Sequence, residues 1–562
     1  MSSIRQGIKD LPEICYLHGM EAVVIAPGSR NAPLIAAFTS HGKLECISIT
    51  DERSAAYFAL GMALQTGKPV GIVCTSGTAV LNFAPAIAEA YYQKLPLVVI
   101  TADRPHERVD QADSQTIRQT NIFGNYIKHS VELPVETASD TDLRYSHRLV
   151  NEALRAALRA DRGPVHINVP LREPLYNPLP EVSQNIMVVE ASEPELLLPE
   201  EEINLLVTRW QAAQKKLIIC GFESKNRELN ELLNQLADDP SVVVMAENIS
   251  NFSGEKIIFA PERFIATLTD DEKRDFQPDL LVTIGDSLVS GRVKKYLRQH
   301  KPVEHWRIHR TEELMDTYDS LTHSIVTEPT LLLHHFVGKD VQAESGYASR
   351  ATEKETTIRH HHEKLLPTLP FCDFTAFDEL LKNLPDGSNL HLANSTPIRY
   401  SQLYATNPQI SYHCNRGTSG IDGCLSTAAG AAYAGKQPTT LITGDLAFIY
   451  DSNGMWNTHF PGNLKVIVMN NGGGNIFRMI ESGETMQAAR PYFETPHSVD
   501  LKSLVSAFGI DFSSCSSMEQ LREGIQWLYS NGNKPAVLEV KTDFDINIKT
   551  FKDYYKLIRQ PQ

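Results

Sequence analysis

Short β-branched runs alternate with helical stretches through most of this chain, and that alternation limits the fold more than any other feature. Residues 22–26, 70–74, 97–101 and 165–169 are apolar runs of buried-strand type. Helical patterns lie between them, for example at 52–65 and 79–93. Strands that take turns with helices must connect by crossovers, which gives a parallel sheet covered by helices on both faces. The same alternation resumes with runs at 217–221, 242–245 and 280–284, and again around 440–443 and 464–469. The expected fold class is therefore α/β, with three doubly wound parallel-sheet domains at 1–185, 200–340 and 358–562. Residues 174–202, rich in Pro and Glu, and the polar stretch 339–357 read as linkers.

The chain has 562 residues, enough for three or four domains that each bury a core. Its 42% hydrophobic and 22% charged composition is that of a soluble globular protein. A net charge of −15 with no basic run argues against nucleic acid or a membrane surface as partner. The N-terminus has no secretion signal pattern, and no apolar stretch approaches a membrane span, so a cytoplasmic location without stable membrane insertion is expected. Eight cysteines without CxxC spacing read as small core residues in a reducing compartment. His360, His361 and His362 lie in a charged stretch without a second ligand group and read as a solvated segment. No G-x-G-x-x-G follows a strand, so the dinucleotide fingerprint is absent.

Chemistry concentrates where strands end. Gly444-Asp445 follows the run at 440–443, and Asn470-Asn471-Gly472-Gly473 follows the run at 464–469. The interval of 471 − 445 = 26 residues accommodates one helical crossover and a return strand. Both polar ends then meet at the carboxyl edge of one sheet, where α/β proteins bind ligands. A carboxylate, an amide oxygen and a glycine carbonyl form a hard oxygen set suited to Mg²⁺ on a diphosphate. Either end alone also serves as a helix cap or a turn. Glu52, at the head of an apolar helix, has a similar double reading, because carboxylates favour helix N-termini for dipole reasons.

The GD…NNGG bracket together with Glu52 resembles the thiamine-diphosphate-binding pattern of the thiamine-dependent enzymes, with Leu446 where a second glycine usually stands. PGSR at 27–30, ADRP at 102–105, QTIRQ at 115–119, NSTPIR at 394–399 and NRGTSGIDG at 415–423 narrow the resemblance. They are similar to the 2-succinyl-5-enolpyruvyl-6-hydroxy-3-cyclohexene-1-carboxylate synthases of menaquinone biosynthesis, a family that shows the same Leu446 departure. The resemblance implies decarboxylative joining of 2-oxoglutarate to isochorismate. It implies thiamine diphosphate with Mg²⁺ or Mn²⁺, and a homodimer or dimer of dimers. The first domain would bind the pyrimidine ring and the third the diphosphate, with Glu52 acting across the subunit interface as the catalytic carboxylate.

Residue by residue, the resemblance assigns Asp445, Asn471 and the carbonyl of Gly473 to the metal. It assigns Asn394, Ile421, Gly444, Leu446, Ile476 and Phe477 to the cofactor. Ser395, Arg399 and Arg416 would contact 2-oxoglutarate; Ser29, Arg30, Arg104 and Gln115 would contact isochorismate. A further basic contact falls loosely on Arg292 or Lys294. Both substrates are dicarboxylates, so the site needs several cations, and arginine's fork suits carboxylates best. Rival readings are a non-enzymatic α/β scaffold and a simple 2-oxo acid decarboxylase or acetohydroxyacid-synthase-like carboligase. The last two acceptors have no need of Arg30 and Arg104.

Overall fold

The computed structural model describes residues 5–190, 192, 195–339, 345–480 and 484–559. Its first sheet holds β1 (Ala22–Ile25), β2 (Glu45–Ser48), β3 (Val70–Cys74), β4 (Leu97–Asp103), β5 (His129–Glu132) and β6 (Val165–Pro170), in the order β2-β1-β3-β4-β6-β5. The second holds β7 (Lys216–Cys220), β8 (Val242–Ala246), β9 (Leu280–Ile284), β10 (Glu304–His309) and β11 (His323–Val326), in the order β11-β10-β9-β7-β8. The third holds β12 (Asn389–Leu392), β13 (Ser411–His413), β14 (Thr439–Gly444), β15 (Leu464–Asn470), β16 (Asp511–Cys515) and β17 (Ala536–Lys541), in the order β13-β12-β14-β15-β17-β16. Strand pairing is parallel in all three sheets. Central strands such as β3 and β4 are buried along their whole length, because helices cover both faces. The α/β expectation therefore holds.

Numbered within their own units, the first and third sheets share one strand order, 2-1-3-4-6-5. In each, the connection after the second strand leads into a small-residue helix, Glu52–Thr66 in the first and Cys424–Gly435 in the third. These two helices pack against each other. A Cβ on Gly61 would collide with the Thr427 carbonyl, and one on Gly430 with the Phe58 carbonyl. The contact is reciprocal: a glycine on each helix admits the backbone of the other. Around it Tyr57, Phe58, Leu425 and Ala428 belong to one core spanning both units.

Three expectations need revision. The helix expected at 79–93 is two, Thr78–Asn82 and Ala84–Tyr92, because Pro85 lacks the N–H to continue the first and suits the start of the second. The expected crossover between Asp445 and Asn471 is present as a short helix, Asp445–Tyr450, and a 3₁₀ turn at Ser452–Met455 before the return strand β15. The polar linker at 339–357 is largely helical: Tyr347–Leu365 buries Tyr347, Ala351 and Ile358 on one side and leaves its charges in water. Residues 340–344 of that linker, and 191, 193 and 194 of the other, lie outside the described residues. His362, expected in a solvated segment, is buried with Nδ1 2.8 Å from the Tyr554 hydroxyl, whereas His360 is exposed. All eight cysteines are free thiols, seven of them buried. Among the described residues no helix is long and apolar enough to cross a membrane.

Candidate active site

β14 and β15 run side by side in register, Gly444 opposite Met469, so their carboxyl ends deliver Asp445 and Asn470-Asn471 to one place. Asp445 is buried; its Oδ2 accepts from the backbone N–H groups of Gly472 and Gly473, both at 2.9 Å. Its Oδ1 accepts from Leu446 N–H at 2.7 Å, and His497 Nε2 lies 3.2 Å from Oδ2. Burial pushes the Asp445 carboxyl up, opposed by the Leu446 N–H and by His497. Those backbone bonds explain the glycines. Gly472 has φ +81° and Gly473 φ +152°, a region that side chains avoid, and a Cβ at 473 would press on the Glu494 carbonyl 2.5 Å away. That carbonyl in turn accepts from Gly474 N–H at 2.6 Å, while Arg478 grips the Glu494 carboxylate through Nε and Nη2.

Asn471 donates its Nδ2 to Asp373 Oδ2 at 2.9 Å. Its Oδ1 is buried without a hydrogen-bond partner among the described residues. A buried carbonyl oxygen left over in this way is costly unless something electropositive takes it. The Gly473 carbonyl accepts from Asn475 N–H at 3.0 Å and keeps its second lone pair. A Cβ on Gly444 would meet nothing within 4 Å, so there is open space directly before Asp445. A buried carboxylate, an orphan amide oxygen and a carbonyl around open space fit a hard divalent cation bearing a diphosphate.

Ile421 packs beside this site with Ala393, Cys424 and Ala447. Ile476 is buried, and Phe477 is 44% exposed with its ring 5.5 Å from that of Phe493. Both hydrogens of the Asn394 amide are committed: Nδ2 donates to the carbonyls of Asn415 and Gly420, each at 2.7 Å, and Oδ1 accepts from Arg416 Nη1 at 3.1 Å. Asn394 thus shapes the glycine loop more than it offers a free donor. From the first unit, Glu89 accepts from Gly417 N–H at 2.7 Å and Thr418 N–H at 2.6 Å, which pins the loop from the other side.

Three cations gather near that loop. Arg399 donates Nη1 to the Ser395 carbonyl at 2.8 Å, and Ser395 has φ +77°, a conformation rare for serine that aims this carbonyl at its own helix. Desolvation first, then the Arg416 charge, press Arg399 below its ordinary value, although much of the residue remains exposed. Lys294 is lowered by burial, with Glu247 opposing and Arg416, Arg298 and Arg399 adding to the effect. Arg399, Arg416 and Lys294 therefore feel one another, a self-repelling arrangement that an incoming carboxylate relieves. Arg292 is placed differently: its Nε pairs with Glu262 at 2.8 Å and its guanidinium lies 4.3 Å from the Tyr555 ring centre.

In the first unit Glu52 opens its helix, whose N-cap Asp51 accepts from Ser54 N–H at 3.0 Å. Asn82 Nδ2 donates to Glu52 Oε2 at 3.3 Å. Ser29 is exposed beside the buried Arg30, which donates to the Leu171 carbonyl and pairs with Glu173 at 3.2 Å. Arg104 leaves the end of β4 and is held by the Ser114 carbonyl at 3.1 Å and Asp113 at 3.3 Å. Gln115 is exposed, with φ +56°, and its carbonyl accepts from Ser76 Oγ at 2.9 Å, past the end of β3. Arg30, Arg104 and Gln115 thus share the carboxyl edge of the first sheet, while among the described residues the hydrogen bonds of Glu52 and of Asp445 each stay within their own unit.

Asp373, Glu247, Glu89, Glu494 and His497 escaped the sequence reading. Only Glu89, a lone charge in the apolar run AIAEAYY, left a visible signal. Asp373 is fully buried and pushed up to about 6 by burial, with the Thr542 hydroxyl and Asn471 amide opposing. Glu247 is buried, accepts from Val289 and Ser290 N–H at 2.6 and 2.7 Å, and is pushed up to about 7 by burial against those bonds.

Residues 6–122 match the model of the N-terminal TPP binding domain of thiamine pyrophosphate enzymes, and residues 395–540 that of the C-terminal TPP binding domain. Over 97% of both chains, this one is 41% identical to the 2-succinyl-5-enolpyruvyl-6-hydroxy-3-cyclohexene-1-carboxylate synthase of Flavobacterium psychrophilum. The enzyme of the same name from Porphyromonas gingivalis is 37% identical over 99% of this chain and 98% of its own. That from Desulfotalea psychrophila is 38% identical over 96% and 98%. Identity of this extent, together with matches to both TPP binding domains, means that the chain belongs to the 2-succinyl-5-enolpyruvyl-6-hydroxy-3-cyclohexene-1-carboxylate synthase family of thiamine pyrophosphate enzymes.

Proposed function

We infer that this chain catalyses the thiamine-diphosphate-dependent decarboxylative carboligation of 2-oxoglutarate with isochorismate, giving 2-succinyl-5-enolpyruvyl-6-hydroxy-3-cyclohexene-1-carboxylate and carbon dioxide. The observation that carries the site assignment is the unpartnered Asn471 Oδ1 beside the buried Asp445, at the joined ends of β14 and β15. Asp445, Asn471 and the Gly473 carbonyl hold Mg²⁺ or Mn²⁺, with Gly444 and Leu446 lining the diphosphate. Thiamine diphosphate supplies the carbon nucleophile and the electron sink for loss of carbon dioxide. Glu52 holds a proton at the aminopyrimidine ring, which is the acid–base step a carboxylate at that place can perform. Ile421, Ile476 and Phe477 keep water from the reacting carbons.

Arg399 and Arg416, with Ser395, bind 2-oxoglutarate, and Lys294 adds a third positive charge. Ser29, Arg30, Arg104 and Gln115 bind isochorismate. Arg292 keeps a supporting part through Glu262. Residues 1–185, 200–340 and 358–562 serve as pyrimidine-binding, central and diphosphate-binding domains. As in the family the chain belongs to, the working form is a homodimer or dimer of dimers, with Glu52 facing the third unit of a neighbouring subunit. The enzyme works in the cytoplasm. The test is to supply both substrates with thiamine diphosphate and Mg²⁺ and follow carbon dioxide and the coupled product by mass spectrometry. Carbon dioxide without coupled product would leave only a 2-oxo acid decarboxylase.

A further inference from the structure

Asp373 lies 98 positions before Asn471 in the chain, yet its carboxylate is the only described partner of the Asn471 side chain. It is fully buried at the first position of the helix Asp373–Lys382. Its own N–H donates to Asn547 Oδ1 at 2.8 Å, and Thr542 Oγ1 donates to its Oδ1 at 2.5 Å. Asn547 Nδ2 in turn donates to Thr542 Oγ1 at 3.0 Å, so the carboxylate is fixed from two further sides. An ionised carboxylate only accepts, and an asparagine amide has one donating and one accepting end. Whatever faces Asp373 must therefore be Nδ2, and Oδ1 must turn away from it, where it has no partner among the described residues.

We propose that Asp373 is a positioning residue for the metal, setting the flip of the Asn471 amide so that its oxygen and not its nitrogen points into the site. The proposal rests on the reading of Asn471 as a metal ligand. Partners behind a ligand commonly govern metal affinity by about 10- to 100-fold. In Asp373→Asn the new amide pairs with Asn471 in either orientation, and the preference is lost. In Asp373→Asn/Asn471→Asp the donor and acceptor exchange places: the amide at 373 donates to one oxygen of the new carboxylate and leaves the other for the metal.

The experiment measures Mn²⁺ affinity by electron paramagnetic resonance on the full chain with saturating thiamine diphosphate, alongside the melting temperature of the metal-free protein. Asp373→Asn should bind Mn²⁺ about 10- to 100-fold more weakly, and the double variant should recover most of that loss. Unchanged affinity in Asp373→Asn, with Asn471→Ala severely weakened, overturns the proposal and keeps the ligand reading. Unchanged affinity in Asn471→Ala removes the ligand reading itself. A lowered melting temperature with unaltered affinity means that Asp373 only supports the fold and likewise overturns the proposal. Should Asp373→Asn fail to fold, the double variant decides: affinity no better than Asn471→Asp alone contradicts the exchange.

Discussion

The first and third units have the same strand order but put different residues at equivalent strand ends. After β3 the first unit runs into Thr75-Ser76-Gly77, where Ser76 and Gly77 bond to Gln115 and Gln119. After β14, the equivalent strand, the third unit runs into Gly444-Asp445, with Asp445 collecting backbone N–H groups and leaving open space before it. At the second strand the contrast reverses: the first unit offers a single carboxylate, Glu52, and the third a glycine loop with Arg416. The topology brings strand ends together in the same way twice, and the residues placed there divide one chemistry between the units. On the proposed reading, one unit holds the metal and diphosphate, and the other supplies a carboxylate for the ring.

The shared helix crossing is where the two units are most alike, and breaking it should give the largest effect. Gly430→Ala puts a methyl group into the Phe58 carbonyl, so a loss of about 3 kcal/mol or a failure to assemble is expected in thermal melting. Gly444→Ala, with nothing nearby to strike, should melt like the parent. If both melt alike, the reciprocal crossing does not hold the units together.

Next in size are the arginines assigned to different substrates. Arg399→Ala should raise the KM for 2-oxoglutarate and Arg104→Ala that for isochorismate, each by about 10- to 100-fold, as for a lost charged hydrogen bond of about 1.5–3 kcal/mol. Equal effects of either variant on both substrates would erase the division between units.

The smallest effect concerns the central unit, whose Glu247 stands behind Lys294 and Arg416. Its folded-state value, about 7, lies above the ordinary 4.5, so the folded chain holds the extra proton between those pH values. Its contribution is thus present below about 4.5 and declines as pH rises toward 7. The melting-temperature advantage of the parent over Glu247→Gln should shrink across that window. A constant or growing advantage would show that the carboxyl is not held protonated there.

Much of this was legible in the sequence, for physical reasons. Buried parallel strands read as apolar runs, which is why β3 and β9 match their expected limits. The Gly472-Gly473 end of the bracket was legible because glycines at a strand end answer a backbone need, as φ at Gly472 and Gly473 bears out. The helix Tyr347–Leu365 was not legible, because its buried positions are few and its remaining surface is charged like a linker. Asp373 was hidden for another reason: a carboxylate at a helix head looks like a cap, and only the fold reveals that it faces Asn471. The central unit looked idle in sequence because Glu247 and Lys294 gain meaning only beside Arg416 and Arg399.

In the proposed mechanism Glu52 from the first unit acts on a cofactor held by Asp445 and Asn471 from the third. The direct measurement is hydrogen–deuterium exchange at C2 of bound thiamine diphosphate, followed by NMR in the parent and in Glu52→Gln. Glu52→Gln should still bind the cofactor with Mg²⁺ but exchange about 10²- to 10⁴-fold more slowly, the usual worth of a positioned acid–base group. Exchange at the parental rate in a cofactor-bound Glu52→Gln protein would contradict it.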